Sequence, residues 1–151
     1  MNMAGENFES IAFLMGVGQQ YDGRAVIGDD IDNDGRVDLI VVEDRWTEGQ
    51  LLHVYRNRME SANHWIGVRL KEEGLGKSPQ GARVVIKSGS RPPQVGVVVT
   101  GDSIHAQHPT KLHFGLGANE TVESIEVIWP GGNRRRVENP TVDAYHDVSF
   151  E

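Results

Sequence analysis

The sequence has no cysteine, which excludes a disulfide framework, a thiolate metal site and a cysteine nucleophile. It has no apolar run near the roughly 20 residues that a membrane-spanning helix requires, so no membrane role is expected. A basic excess is missing as well: 15 Lys and Arg face 22 Asp and Glu, for a net charge of −7. A general nucleic-acid binder neutralises phosphates with a net basic surface, so no nucleic-acid partner is expected either. The first residues, Met1 to Asn7, lack the basic start and apolar stretch of a signal peptide, and the expectation from them alone is a cytoplasmic chain.

The composition that remains, 38% hydrophobic and 25% charged over 151 residues, is that of a globular protein with enough chain to bury a real core. Helical periodicity is scarce. Phe8, Ile11, Ala12 and Met15 are spaced for one or two helical turns, with Gly16 as the stop. From Arg24 onward the chain reads as strands rich in Val, Ile and aromatics, bounded by Gly, Pro, Asn or Asp. These runs are 25–28, 37–43, 51–56, 65–71, 82–88, 95–100, 111–114, 122–129, 134–138 and 142–150. Ile125, Val127 and Trp129 alternate with Glu126 and Ile128, as in a strand with one well-buried face. Pro130-Gly131-Gly132-Asn133 reads as a hairpin turn into Arg134. The fold expected is all-β, with at most one short amino-terminal helix.

Charge is unevenly distributed. Residues 1–50 hold 11 Asp and Glu against 3 Lys and Arg, a net of −8, and residues 51–151 hold 11 against 12, a net of +1. The acidic excess thus ends before the polar stretch Arg58–Asn63, where we place a boundary between units 1–60 and 61–151. Its centre is Asp30-Ile31-Asp32-Asn33-Asp34-Gly35-Arg36-Val37-Asp38. Carboxylates at loop positions 1, 3, 5 and 9, a glycine at position 6 and the carbonyl of Arg36 at position 7 supply the oxygen-rich shell that calcium takes. Magnesium fits less well, because it dehydrates reluctantly and seldom accepts an all-protein cage. Position 12 is Val41 rather than the bidentate Glu of an EF-hand, and strand follows instead of helix. Asp30, Asp32, Asp34 and Asp38 are the expected side-chain ligands. The plain alternative is a solvated acidic turn, but five carboxylates within ten residues, Asp29 included, repel one another without a cation.

In this context Arg24 to Val42 resembles an FG-GAP/VCBS-type repeat, a family whose acidic motif binds calcium within a β-propeller blade. Phe8 to Val17 resembles the segment that precedes such repeats. The remainder resembles the ASPIC/UnbV domain, on Asn63-His64-Trp65-Ile66-Gly67-Val68-Arg69-Leu70, Gly81-Ala82-Arg83-Val84, Leu112-His113-Phe114-Gly115-Leu116-Gly117 and Ile125-Glu126-Val127-Ile128-Trp129-Pro130-Gly131-Gly132. The resemblance implies a single blade-like antiparallel unit packed on a small β-sandwich or barrel-like domain, a calcium cofactor and a role in adhesion or interaction. It also implies mostly exported relatives. A lone blade leaves strand edges uncovered, so a homodimer formed by edge pairing is expected.

Other groupings are weaker. His105, His108 and His113, with His64 as a fourth, invite a zinc reading, but they surround Pro109 and a strand, so convergence is not given. Asp102, Ser103 and His105 are too close in sequence for a triad, since strand neighbours face opposite ways. Gly115 and Gly117 suit a bend better than a phosphate cradle, as no helix follows. Paired carboxylates of a glycosidase remain open among the many Asp and Glu. Trp65 and Trp129 sit in strand patterns and read as core, and Arg134–Arg136 as a solvated strand. Trp46, among charged residues at a hairpin tip, is the candidate ligand-binding aromatic. The function expected is a calcium-binding, non-catalytic β module for protein interaction or assembly. The alternatives are a carbohydrate-binding or carbohydrate-processing protein, and a fragment whose role lies in a partner chain.

Overall fold

Every strand expected from the sequence forms, with its ends shifted by a few residues. The computed structural model describes residues 2–3, 6–18, 20–47, 49–71, 78–101 and 105–150. A two-residue ladder, β1 (Asn2–Met3) with β2 (Asn7–Phe8), opens the chain. Next comes an antiparallel three-stranded sheet in the order β3 (Asp22–Asp29), β4 (Asp38–Arg45), β5 (Gly49–Tyr55). The remaining strands are β6 (His64–Leu70), β7 (Arg83–Lys87), β8 (Gln94–Val97), β9 (Lys111–Gly117), β10 (Ser124–Ile128), β11 (Arg134–Glu138) and β12 (Tyr145–Val148). They form one sheet ordered β11-β10-β7-β8 and another ordered β12-β6-β9, in which β12 runs parallel to β6. The molecule is all-β, and none of its sheets closes into a barrel.

The helical expectation near the amino terminus reduces to one turn. Met15 N donates to Ile11 O at 3.0 Å, and Gly16, at φ 71°, ends the turn. Of the spaced residues Ile11 and Ala12 are partly buried, but Phe8 is 79% and Met15 49% exposed, and a turn so weakly packed does not propagate. Gly115 also departs from expectation. It lies inside β9 opposite Trp65, not at a bend. Gly117, at φ 61°, does end the strand.

The core belongs to the two later sheets. Ile66, Val68 and Leu70 from β6, Phe114 and Leu116 from β9, Val84 and Ile86 from β7, and Ile125 and Val127 from β10 meet in one buried cluster closed by Trp129. Period-2 alternation places these residues inward and their neighbours outward. Trp129 N donates to Asn133 O at 2.9 Å and Gly132 N to Trp129 O at 2.8 Å, closing the expected hairpin. Arg134 and Arg136 point to solvent, paired with Glu126 at 3.1 Å and Glu138 at 2.6 Å.

The same alternation gives the β12-β6-β9 sheet an outward face of a different kind. Cross-strand rows place Trp65 beside Gly115, Tyr145 beside Gly67 and His113, and Asp147 beside Arg69 and Lys111. Gly67 has no side chain because the Tyr145 ring occupies that space. This aromatic and basic face is what the acidic loop meets.

Candidate metal centre

The acidic loop links β3 to β4 and is turned tightly by two left-handed residues, Asn33 at φ 60° and Gly35 at φ 85°. Asn is among the few side chains that tolerate this region, and Gly35 is required for a second reason. A Cβ there would overlap the Trp65 indole. Sequence spacing alone showed a glycine at position 6. The tertiary structure adds that it is also the close contact between the loop and the β6–β9 face.

The turn draws Asp30, Asp32 and Asp38 together, with one carboxylate oxygen from each lying within 4.8 Å of the others. Asp30 is 1% exposed and is held by neutral donors: Asp34 N on Oδ1 at 3.0 Å, and Gly35 N and the Tyr145 hydroxyl on Oδ2, both at 2.9 Å. Asp38, also buried, accepts Ile31 N at 3.2 Å on Oδ2 and Asn57 N at 2.7 Å on Oδ1. Hydrogen bonds of this kind orient carboxylates toward a shared centre. Asp34 turns elsewhere. It accepts Arg36 N at 3.0 Å and pairs with the Arg36 guanidinium. Burial acts to raise its pKa, but the Arg36 N–H, the Arg36 charge and the Arg56 guanidinium outweigh that and leave it below the ordinary 3.8.

Three cations from outside the loop's acidic positions complete the neighbourhood. Lys111 Nζ lies 2.7 Å from Asp29 Oδ1 and donates to Asp30 O at 2.6 Å. Arg69 donates to Asn33 Oδ1 at 2.6 Å and stacks over the Tyr145 ring at 4.2 Å. Arg56, just past β5, reaches Asp32 at 2.5 Å and Asp34 at 3.4 Å. Burial, with the Asp30 hydrogen bond and charge, keeps the Tyr145 hydroxyl protonated far above its ordinary pKa, so it remains a donor to Asp30. His113 stacks on Trp65 at 5.1 Å, and burial lowers its pKa despite the Asp30 charge nearby, with Lys111 acting in the same direction as burial.

The donor set fits a hard cation. All three clustered groups are carboxylates, the softer His and Cys ligands are absent from the cluster, and a cation already sits on one of them in the form of Arg56. Among the described residues no other group of three or more His, Asp or Glu approaches ligating distance. The zinc grouping does not assemble: His64 Nδ1 lies 2.7 Å from Asp143 Oδ2, His113 is on Trp65, and His105 is exposed. Asp102 and Ser103 lie outside the described residues. Trp46 is 98% exposed at the turn between β4 and β5, away from the loop's end of that sheet.

Several residues here escaped the sequence reading: Tyr145, Lys111, Arg69, Asn57 and Arg56. The available signal was the outward register of the later strands, in which basic and aromatic residues alternate with the core. Residues 74–150 match the model of the ASPIC and UnbV family, just over half of the chain. No curated protein matches the chain in sequence. Strand β6 precedes the matched region yet pairs with β9 and β12 inside it.

Proposed function

Given that the chain belongs to the ASPIC and UnbV family, we propose that it is a calcium-binding, non-catalytic β module that serves protein interaction or assembly. Residues 24–42 are then a single FG-GAP/VCBS-type repeat. Calcium is held by Asp30, Asp32 and Asp38, with Asp34 and the Arg36 carbonyl completing the shell after Asp34 reorients. The observation that carries this reading is the gathering of three carboxylates, two of them buried and pre-oriented by neutral donors, with one oxygen from each within 4.8 Å. Bound calcium supplies positive charge that offsets carboxylate repulsion and rigidifies the loop. Since Asp30 and Asn33 also bind Tyr145 and Arg69, a rigid loop holds unit 1–60 on unit 61–151.

The assembly part rests on the β3-β4-β5 sheet. Strands β3 and β5 are its edges, and Val26, Leu52 and Val54 are exposed on it. Edge pairing with a second copy covers such strands, so a homodimer is the arrangement proposed. The rival reading is glycan binding through Trp46, favoured by its full exposure among charged neighbours.

Calcium titration calorimetry on chelator-stripped protein tests the main reading, with melting followed in parallel. We expect stoichiometric binding and a raised melting temperature, both lost in the double variant Asp32→Ala/Asp34→Ala. Absence of heat and of any shift in the native chain sinks it. Saturable sugar binding abolished by Trp46→Ala would instead favour the rival.

A further inference from the structure

The cations around the loop are not equivalent. Lys111 sits on Asp29 and on a backbone carbonyl, outside the three clustered carboxylates, and only 12% of its side chain is exposed. Arg36 is held through Asp34 and through its Nε on Asn57 O at 3.0 Å. Among the described cations Arg56 alone pairs with a member of the cluster. Its guanidinium is 2.5 Å from Asp32 Oδ2, whereas Asp30 and Asp38 are met by N–H and O–H donors. It is also the exposed one, at 54% for its side chain against 35% for Asp32, and it is held there by Asp32 and by a longer contact with Asp34 at 3.4 Å.

We propose that Arg56 is an internal counter-cation that occupies Asp32 when no ion is bound and must swing out when calcium takes that carboxylate. The inference rests on the calcium reading above and concerns what sets the affinity of that site. The two cations compete for one carboxylate. Whatever free energy the Arg56–Asp32 pair contributes to the ion-free protein is therefore subtracted from calcium binding. The placement of Arg56 is not incidental. The next residue, Asn57, fixes Asp38 through its backbone N–H, so the same short segment after β5 orients one ligand and blocks another.

The test compares calcium affinity, by calorimetry on the chelator-stripped 151-residue chain, in the native sequence, Arg56→Gln and Arg58→Gln. Arg58 is an exposed cation two residues on, and its removal changes the net charge equally. Exposed pairs are weak, so we expect Arg56→Gln to bind calcium about three- to fivefold more tightly than Arg58→Gln. Melting gives a second readout: Arg56→Gln lowers the melting temperature in chelator but leaves it at the native value in saturating calcium. Arg56→Lys, which keeps the charge without the planar fork, should fall between the two in affinity.

Equal affinities in Arg56→Gln and Arg58→Gln would overturn the proposal while leaving the calcium site standing, because only long-range charge would then be at work. Weaker binding in Arg56→Gln would overturn it too. No calcium binding in any of the chains would overturn the site and the counter-cation together.

Discussion

The two halves of this protein bury opposite kinds of side chain. Every described buried apolar residue lies between Ile66 and Val148, in the two sheets that share one core or in the segments flanking their strands. In the β3-β4-β5 region the described buried side chains are Asp30, Asp38 and Glu43, all carboxylates. Asp30 and Asp38 accept backbone N–H groups, Asp30 also the Tyr145 hydroxyl, while Glu43 Oε2 lies 3.0 Å from His53 Nε2 with no hydrogen bond formed. One half is thus held by apolar burial, which is indifferent to salt, metal and pH within wide limits. The other is held by hydrogen bonds and charges, which are not. Strand β4 sharpens the contrast. Leu39-Ile40-Val41-Val42 is the continuous apolar run of a strand covered on both faces, yet all four are only half-buried here.

The largest expected effect breaks the apolar half. Trp129→Ala removes a fully buried side chain from the core and should cost about 3–5 kcal/mol, measured by denaturant unfolding. That cost should be the same in calcium and in chelator. Ile40→Ala, in the half-covered β4, should cost only about 1 kcal/mol. A cost for Ile40→Ala rivalling that of Trp129→Ala would mean the sheet faces are covered in solution, as in a dimer, and sedimentation would then show one.

Next is the contact between the halves. Gly35→Ala places a Cβ against Trp65 at a positive φ, and should cost roughly 2–3 kcal/mol with a change in tryptophan fluorescence. A silent Gly35→Ala would mean that the loop does not rest on Trp65. Smaller still, Tyr145→Phe removes the hydroxyl from Asp30 and should cost about 1–2 kcal/mol. That loss should shrink in calcium if the ion satisfies the same carboxylate.

The smallest effect is on pH. His113 has a lowered pKa in the folded state, so below the ordinary 6.5 the unfolded chain binds a proton that the native one does not. Stability from this group is therefore present above pH 6.5 and is lost as pH falls toward the folded value. Asp34 acts in the same direction lower down. Its contribution is present above 3.8 and is lost in stronger acid. His113→Asn should flatten the stability profile just below pH 6.5, and an unchanged slope would assign it to other groups.

Much of the fold was legible because it is written in short-range patterns. Ile125, Val127 and Trp129 are buried as their alternation demands, and Pro130–Asn133 turns as its residues require. Trp46 is exposed at its hairpin tip. Trp65 is less simple. It lies in a strand but faces outward, stacked on His113 and against the loop, because its position in β6 alternates with Ile66 and Val68. The amino-terminal segment forms one turn, the lower end of what its spacing allowed, since Phe8 and Met15 remain exposed.

Sequence alone determined the strands, the turns and the acidic loop with its glycine, since each depends on residues within a few positions of one another. Only tertiary structure decided that Asn57 fixes Asp38, that Arg56 reaches Asp32, and that Tyr145, Lys111 and Arg69 close over the loop. Asp30 and Tyr145 are 115 positions apart. Spacing along a chain says which way a side chain points from its own strand, but the partner it meets is set by the packing of one sheet on another.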